Sequence, residues 1–112
     1  METDSLADHD PVEAIDGVFL AELAVGENMS VQHVTIEPGA DVPEHDHHHE
    51  QVGFVYEGEL TFLVAGEEFT VAAGESYTIP GGEPHAALNE SGERVRGLDV
   101  FSPPRENPDW QE

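Results

Sequence analysis

The sequence predicts an all-β protein with a single domain, and three observations support this fold class. A chain of 112 residues is long enough for one small domain with one hydrophobic core. Short β-type segments follow one another from Gly17 onward, each bounded by glycine or proline. No segment of about ten residues or more shows a clear helical period of apolar side chains. Short strands at such even spacing are typical of a β-sandwich or a β-barrel.

The predicted strands are separated by turn sequences rich in glycine and proline. In chain order these strands are Val18–Leu23, Ser30–Ile36, Gln51–Tyr56, Leu60–Val64, Phe69–Val71, Ser76–Ile79, His85–Leu88 and Val95–Phe101. The turns are Pro38-Gly39, Glu57-Gly58, Ala65-Gly66-Glu67, Ala73-Gly74, Pro80-Gly81-Gly82 and Asn89-Glu90-Ser91-Gly92, and Pro103-Pro104 ends the last strand. Leu60 and Leu63 lie on opposite faces of one strand, so we expect burial on both faces of at least one sheet, for which a dimer interface is one explanation.

The predicted domain spans residues 17–105 and has a different kind of segment at each end. Residues 1–16 contain six acidic residues and few large apolar side chains, which indicates a flexible N-terminal arm that could pair with the edge of the domain. Residues 106–112 are interpreted as a C-terminal tail.

The charge of the chain is strongly acidic and excludes some kinds of partner. Aspartate and glutamate number 25, lysine and arginine together only three, and the net charge is −22. Such a charge repels nucleic-acid phosphates and anionic lipid headgroups, so we expect neither nucleic-acid nor membrane binding. The acids are scattered among apolar runs, which favours a folded domain with an acidic surface over disorder. Because repulsion between surface charges weakens in salt, we expect a halophilic source.

The location and the metal chemistry of the chain are also constrained by its sequence. No apolar run approaches the roughly 18 residues of a membrane helix. The N-terminus is acidic and lacks the positive region of a signal peptide, so we expect a cytoplasmic protein. Cysteine is absent, which means that any bound metal must be held by nitrogen and oxygen atoms.

The segment 44–51 contains four histidines together with carboxylates and an amide, which is a concentration of metal-binding groups found nowhere else in the chain. His45 and His47 are two residues apart, so on a strand both would point to the same face, about 6–7 Å apart. Two nitrogens at that separation can meet one ion through bonds of about 2 Å. Gln51 has the same parity and could face the same interior.

Two spaced patterns resemble the two conserved motifs of the cupin superfamily. The first is Gly39-x5-His45-x-His47-x3-Gln51-x6-Gly58, and the second is Gly74-x5-Pro80-x-Gly82-x2-His85-x3-Asn89. The sequence departs from the first motif at one position, where Gln51 replaces the usual glutamate. The resemblance implies a cupin jelly-roll β-barrel, usually dimeric, with a metal ion inside the barrel.

The same resemblance implies that His45, His47, Gln51 and His85 bind one divalent transition metal ion. Three neutral imidazoles and one oxygen are compatible with Zn, Ni, Fe, Mn, Co or Cu. An amide in place of a carboxylate removes one negative charge, so the metal becomes a stronger Lewis acid towards an anionic ligand. Alternatively, Gln51 orients a water molecule instead of binding the metal. His48 and His49 are interpreted as loop residues, although the parity of His49 could bring it to the mouth of the site.

The C-terminal part of the domain resembles a narrower group, the small pectin-degradation cupins. The residues that carry this resemblance are segment 47–54 and the tail positions Asp99, Phe101 and Arg105. Enzymes of this group convert 4,5-unsaturated uronates into the linear keto acid. The resemblance implies that Asp99 is a general acid–base, that Phe101 contacts the substrate ring, and that Arg105 binds its carboxylate and assists catalysis. Glu106-Asn107-Pro108 departs from the ending of that group, and an ion pair with a nearby acid is the alternative role of Arg105.

We therefore expect a metal-dependent enzyme, of lyase or isomerase type, that acts on a small anionic sugar acid and forms a homodimer. Two alternatives remain open. One is a different metal-dependent cupin enzyme, a dioxygenase or an isomerase. The other is a non-catalytic module that binds a small molecule, because the fold alone does not determine function.

Overall fold

Two antiparallel β-sheets facing each other form the body of the protein, whose computed structural model describes residues 1–105. A 3₁₀ helix at Leu6–Asp8 precedes the strands. The strands are β1 (Val12–Ile15), β2 (Val18–Val25), β3 (Ser30–Ile36), β4 (Asp41–His45), β5 (Glu50–Glu57), β6 (Glu59–Val64), β7 (Glu67–Ala72), β8 (Ser76–Ile79), β9 (His85–Leu88) and β10 (Val95–Ser102). The strand order is β1-β2-β3-β10-β5-β8 in one sheet and β4-β9-β6-β7 in the other. The predicted all-β jelly-roll fold is confirmed.

Every strand predicted from the sequence is present, and β3, β8 and β9 have the predicted bounds. Two strands were not predicted, and both lie at the edges of their sheets. One of them, β4, contains Pro43 and three charged or ionisable side chains around a single apolar residue, so it has no strand-like alternation. Proline is tolerated there because an edge strand has one side without ladder hydrogen bonds.

The other unpredicted strand, β1, lies within the acidic segment 1–16 and pairs antiparallel with β2. The end of the predicted N-terminal arm is therefore part of the six-stranded sheet. The domain boundary at residue 17 and the flexibility of the arm stay predictions. The predicted tail 106–112 lies outside the described residues.

The hydrophobic core lies between the two sheets and is built from side chains that alternate with outward ones along each strand. Its most buried apolar members are Val18, Ile36, Val55, Leu60, Phe62, Ile79 and Val95. Gly58 forms the turn between β5 and β6 with a φ of 84°, a conformation that L side chains rarely adopt. A Cβ at this position would also lie 2.5 Å from the carbonyl oxygen of Arg94, so only glycine fits. Among residues 1–105, no helix is long and apolar enough to span a bilayer.

Candidate metal centre

A cavity of about 640 Å³ lies between the sheets, and every side chain that the sequence predicted to be functional lines it. Its polar lining consists of Gln32, Glu44, His45, Asp46, His47, His49, Gln51, Tyr77, His85, Asp99 and Arg105. Apolar side chains of the core, among them Val34, Ile36, Leu60 and Phe62, line the rest. The cavity therefore offers a group of ionisable side chains beside an apolar surface.

Three histidines predicted as metal ligands converge within this cavity. His45 is the last residue of β4 and lies opposite His85, the first residue of β9, in the register of these two strands. His47 follows in the loop between β4 and β5, so the two neighbouring histidines do not share one strand. One ring nitrogen from each of the three lies within 4.8 Å of the others, which is a suitable spacing for a single ion.

Two glycines before β9 hold the loop that carries His47. The backbone N–H of Gly82 donates a hydrogen bond to the carbonyl oxygen of His47 at 2.7 Å. A Cβ at Gly81 would lie 2.4 Å from the carbonyl oxygen of His48, so a larger residue would displace the loop. The glycines of the second motif thus bring the histidine loop of the first motif to His85.

Backbone carbonyl groups select the tautomer of all three rings. The Nδ1 atoms of His45, His47 and His85 lie 3.0, 3.1 and 2.8 Å from the carbonyl oxygens of Pro43, His49 and Glu83. Because a carbonyl oxygen only accepts hydrogen bonds, each Nδ1 carries the proton and each Nε2 of the neutral ring keeps a lone pair. Histidines that bind metals through Nε2 are usually oriented by such Nδ1 hydrogen bonds.

Burial favours the neutral form of His47 and His85 by lowering the pKa of both rings. Loss of solvation is the main cause that lowers the pKa of His47, and the neighbouring His85 and Arg105 lower it further. The pKa of His85 is also lowered, again mainly by burial, although its hydrogen bond to Glu83 acts in the opposite direction. Both rings are therefore available as neutral ligands near pH 7.

Gln51 brings an oxygen to the histidines. Its Oε1 lies 3.2 Å from Nε2 of His47. With the His47 proton on Nδ1, two lone pairs face each other at this distance, and a cation bound by both atoms would satisfy them. The residues present therefore fit a divalent metal ion held by three imidazole nitrogens and one amide oxygen.

Asp99 is connected to the candidate metal site through Gln51. The carboxylate lies on β10 and is 6% exposed. Its Oδ1 accepts a hydrogen bond from Nε2 of Gln51 at 3.0 Å and another from the hydroxyl of Tyr77. Burial raises the pKa of Asp99, while the hydrogen bonds from Tyr77 and Gln51 oppose this rise. Both donors use the same oxygen, so neither of them engages the other carboxylate oxygen.

Phe101 and Arg105 line the cavity beside His47. The Phe101 ring is 1% exposed and meets the His47 ring edge-on, with 5.7 Å between centroids. The guanidinium carbon of Arg105 is 4.9 Å from the centroid of Phe101, within the range of a cation–π contact. The backbone N–H of Arg105 donates to Oγ of Ser30 at 2.9 Å, which fixes the chain where the side chain enters the cavity wall.

The structure adds two residues to the site. Tyr77, on β8, was not predicted, although Gly53 inside a strand is a signal of close approach by another group. His49 lines the cavity, and its ring centroid lies 6.0 Å from that of Phe101. His49 therefore does reach the cavity that contains the three converging histidines. Burial is the main cause that lowers the pKa of His49.

Comparison with known proteins shows the family to which this fold belongs. Solved structures of similar fold include KdgF from Halomonas sp., with 23% identity, a TM-score of 0.86, and coverage of 96% of this chain and 97% of that one. An RmlC-like cupin from Shewanella frigidimarina has 26% identity, a TM-score of 0.80, and coverage of 95% and 98%. The polyketide cyclase RemF from Streptomyces resistomycificus has 22% identity, a TM-score of 0.82, and coverage of 91% and 79%.

No curated protein is significantly similar to this sequence. The family described as the cupin domain matches residues 32–101, a segment that contains both motifs and extends from β3 to β10. This match covers more than half of the chain, and the likeness to KdgF agrees with the resemblance to pectin-degradation cupins. The chain therefore belongs to the cupin domain family.

Proposed function

We propose that this protein is a metal-dependent enzyme that converts a 4,5-unsaturated uronate into its linear keto acid. The observation that carries this proposal is the convergence of two separate sequence patterns in one cavity. The three histidines lie beside Gln51, which is hydrogen-bonded to Asp99, while Phe101 and Arg105 line the same wall. The tail pattern of the small pectin-degradation cupins thus borders the candidate metal site.

The donor set fits one divalent ion bound by His45, His47, His85 and the amide oxygen of Gln51. Such an ion, when bound, supplies Lewis-acid polarisation of substrate oxygens. Because Gln51 is neutral, these four side chains add no negative charge that would repel an anionic substrate. Zn, Ni, Fe, Mn, Co and Cu all remain compatible with three imidazoles and one oxygen.

Arg105 has the chemistry to bind the substrate carboxylate. Its guanidinium offers a planar pair of donors that matches a carboxylate, and it lies against Phe101 in the cavity wall. The Phe101 ring provides an apolar surface beside the histidines, against which one face of a sugar ring can pack. Together these residues would hold the uronate with its ring towards Asp99.

Asp99 has the chemistry to move the proton. The conversion is an isomerisation: the ring C–O bond breaks, a hydroxyl oxygen loses a proton as it becomes a carbonyl, and an alkene carbon gains a proton. One carboxylate can remove the first proton and deliver the second, so no oxidant or other reagent is consumed. The hydrogen bonds from Gln51 and Tyr77 hold one oxygen of Asp99 and keep the carboxylate in place.

Loss of the conjugated chromophore of a 4,5-unsaturated uronate, measured with the metal-loaded protein and without it, tests this function. We expect acceleration by the parent chain and a fall of about 10²- to 10⁴-fold for Asp99→Asn, which keeps the shape of the side chain but cannot act as a base. Absence of acceleration at every salt concentration would rule the proposal out.

A second candidate is a different metal-dependent enzyme whose substrate has an apolar part. The observation that favours it is the apolar lining contributed by Val34, Ile36, Leu60 and Phe62, since the hydroxyl groups of a sugar acid would find no partners there. RemF, a polyketide cyclase, shows that a similar fold occurs in another type of enzyme. Stabilisation of the metal-loaded protein by aromatic carboxylates, but not by unsaturated uronates, would favour this candidate.

We also propose a homodimer formed through the outer face of the six-stranded sheet. The side chains at the centre of this face belong to β2, β3, β5 and β10, and they are Phe19, Ala21, Val31, His33, Thr35, Val52, Phe54, Tyr56, Arg96, Leu98 and Val100. None of these central residues is acidic, and the acids on the same face, Glu13 and Glu50, lie at its margins. A second copy can contact the centre of this face without placing carboxylates against each other, and like copies usually associate about a two-fold axis.

Two features of this outer face support a second copy as its partner. Phe54 is 42% exposed, although it is flanked by apolar neighbours on β10 and β5. Nε of Arg96 is buried and has no hydrogen-bond acceptor within residues 1–105. A buried donor without an acceptor lowers the stability of the fold, and an acceptor from the second copy would form the missing hydrogen bond.

A further inference from the structure

Tyr77 reaches the site by crossing a neighbouring strand. In the sheet, Asp99 pairs with Gly53, and Gly53 pairs with Tyr77, so the three residues form one row across β10, β5 and β8. Two strand spacings, about 10 Å, separate the outer members of this row. The Tyr77 side chain spans this gap and donates its hydroxyl hydrogen bond to Oδ1 of Asp99.

The central residue of the row has to be glycine for this crossing. A Cβ on Gly53 would lie 2.1 Å from Cζ of Tyr77, so any other side chain would displace the ring. On its other side the ring packs against Phe62, with 4.6 Å between centroids. The backbone of Gly53 on one side and the ring of Phe62 on the other thus leave Tyr77 little freedom to turn its hydroxyl away from Asp99.

The Asp99 carboxylate decides which end of the Gln51 amide faces the histidines. Nε2 of Gln51 donates to Oδ1 of Asp99 at 3.0 Å, and Oε1 is then directed to His47. The reversed amide would place two acceptor oxygens against each other and would present N–H groups to the histidine nitrogens. The amide oxygen can serve as a ligand only while Asp99 stays in its place.

We propose that Tyr77 is a positioning residue of the metal centre: its hydroxyl holds Asp99, and Asp99 holds Gln51 with the amide oxygen facing the ion. This inference rests on the proposed metal site and is independent of the proposed substrate. Hydrogen-bonded groups behind a ligand typically change metal affinity when they are removed, because they fix the orientation of that ligand. The alternative is that Asp99 merely satisfies the buried hydroxyl of Tyr77.

The variant Tyr77→Phe separates these possibilities because it keeps the ring and removes only the hydroxyl. We expect its affinity for Co²⁺, measured by competition with a chelator, to fall about 10- to 100-fold. The visible spectrum of bound Co²⁺ reports the coordination sphere, and it should change in the same direction in Tyr77→Phe as in Gln51→Ala. The double variant should lose no more affinity than Gln51→Ala alone, since both changes remove one interaction.

Tyr56→Phe is the matched control. This variant also removes a tyrosine hydroxyl, but from β5, where Tyr56 is hydrogen-bonded to His33 on the outer face of the sheet. It should leave the affinity for Co²⁺ and the spectrum of bound Co²⁺ unchanged. Thermal unfolding without metal identifies any general loss of stability in either variant. If Tyr77→Phe does not fold, Gly53→Ala provides a second test, because the added Cβ displaces the Tyr77 ring while the hydroxyl remains.

The possible outcomes are distinct from those of the uronate assay. Parent-like affinity and spectrum for Tyr77→Phe, with weakened binding for Gln51→Ala, would overturn the positioning role and leave the metal site intact. Unchanged binding in both variants would show that Gln51 is not a ligand and would also overturn it. Failure of the parent chain to bind any metal would overturn this inference together with the proposed function, whereas inactivity on uronates alone would not affect it.

Discussion

His45 and His85 face each other across β4 and β9, with 4.4 Å between their ring centroids. The two residues come from different sequence motifs, and strand pairing brings them together. The candidate metal centre therefore depends on the fold, and the dense histidine segment 44–51 does not form it alone. His85 is the contribution of the second motif, and its removal should separate a built site from adventitious binding by the segment.

The variant His85→Ala should bind a divalent metal much more weakly than the parent chain. One of three imidazole ligands is lost while His45 and His47 remain. Metal added in excess should raise the melting temperature of the parent, because an ion that binds only the folded state adds RT ln(1 + [L]/Kd) to its stability. Differential scanning calorimetry with and without a chelator measures this effect, which should nearly vanish in His85→Ala.

His48→Ala is the control for this prediction. His48 lies in the same segment but is exposed and does not belong to the converging group. It should retain the metal-dependent rise in melting temperature. An equal loss in both variants would indicate that the segment binds metal loosely, without the geometry of a site.

The variant Arg105→Lys tests the carboxylate-binding role. Lysine keeps the positive charge but cannot form the paired hydrogen bonds of a guanidinium. We expect KM for the unsaturated uronate to rise about tenfold, the loss of roughly one charge-assisted hydrogen bond, with a smaller change in kcat. Arg94→Lys is the control, since Arg94 pairs with Glu57 at the surface, and it should have parent kinetics. A parent-like KM for Arg105→Lys would contradict the role and favour a structural ion pair.

The outer face of the six-stranded sheet should make stability depend on pH through His33. Burial is the main cause that lowers the pKa of His33 below 6.5, and the positive charge of Arg96 adds to this effect. The unfolded chain then binds a proton more readily than the folded one, so stability is complete above about pH 6.5 and declines as the pH falls towards the folded-state pKa. The hydrogen bond to Tyr56, 2.5 Å long, tolerates the neutral ring.

In the variant His33→Gln the polar contact to Tyr56 can remain, but the titrating group is removed. We expect the decline in unfolding free energy between about pH 7.5 and pH 5 to be less steep than in the parent. Denaturant unfolding at fixed protein concentration measures it. The slope should not vanish, because the lowered pKa values of His47, His49 and His85 act in the same direction. Identical slopes in parent and variant would show that His33 does not contribute.

Local sequence patterns were sufficient for most of the fold, and the exceptions have physical reasons. Runs of β-branched and aromatic residues between glycine or proline turns indicated β5 and β10 correctly, although the buried face of β5 carries Gln51, Gly53 and Val55 instead of an apolar row. Strand β4 was not predicted because an edge strand whose side chains are mostly solvent-exposed needs no apolar alternation, and two of its five residues are acidic. Strand β1 was not predicted because its four residues lie within the acidic segment 1–16.

The site shows the same division between local and long-range information. The resemblance to the two cupin motifs predicted the convergence of His45, His47 and His85, and the structure brings the three rings together. Tyr77 could not be found in this way, because it meets Asp99 only through the order of β8, β5 and β10 in the sheet. That order depends on the packing of the whole chain, and no short pattern encodes it.

The variant Phe54→Glu tests the proposed dimer. Phe54 lies on the outer face of the six-stranded sheet and is 42% exposed, so a charge there should not disturb the core of the subunit. In a dimer it would place a carboxylate within an apolar interface, and an unpaired buried charge costs several kcal/mol. We expect the parent chain to sediment as a dimer and Phe54→Glu as a monomer with an unchanged circular dichroism spectrum.

Phe69→Glu provides the matched control, because Phe69 is 49% exposed but lies on β7 of the other sheet, and this variant should remain dimeric. Salt offers an independent test. Two subunits of net charge −22 repel each other, and screening shortens to about 3 Å at 1 M salt, so the parent dimer should tighten as salt increases. A parent chain that sediments as a monomer from dilute buffer to molar salt would show that the outer face of the six-stranded sheet has no second copy as its partner.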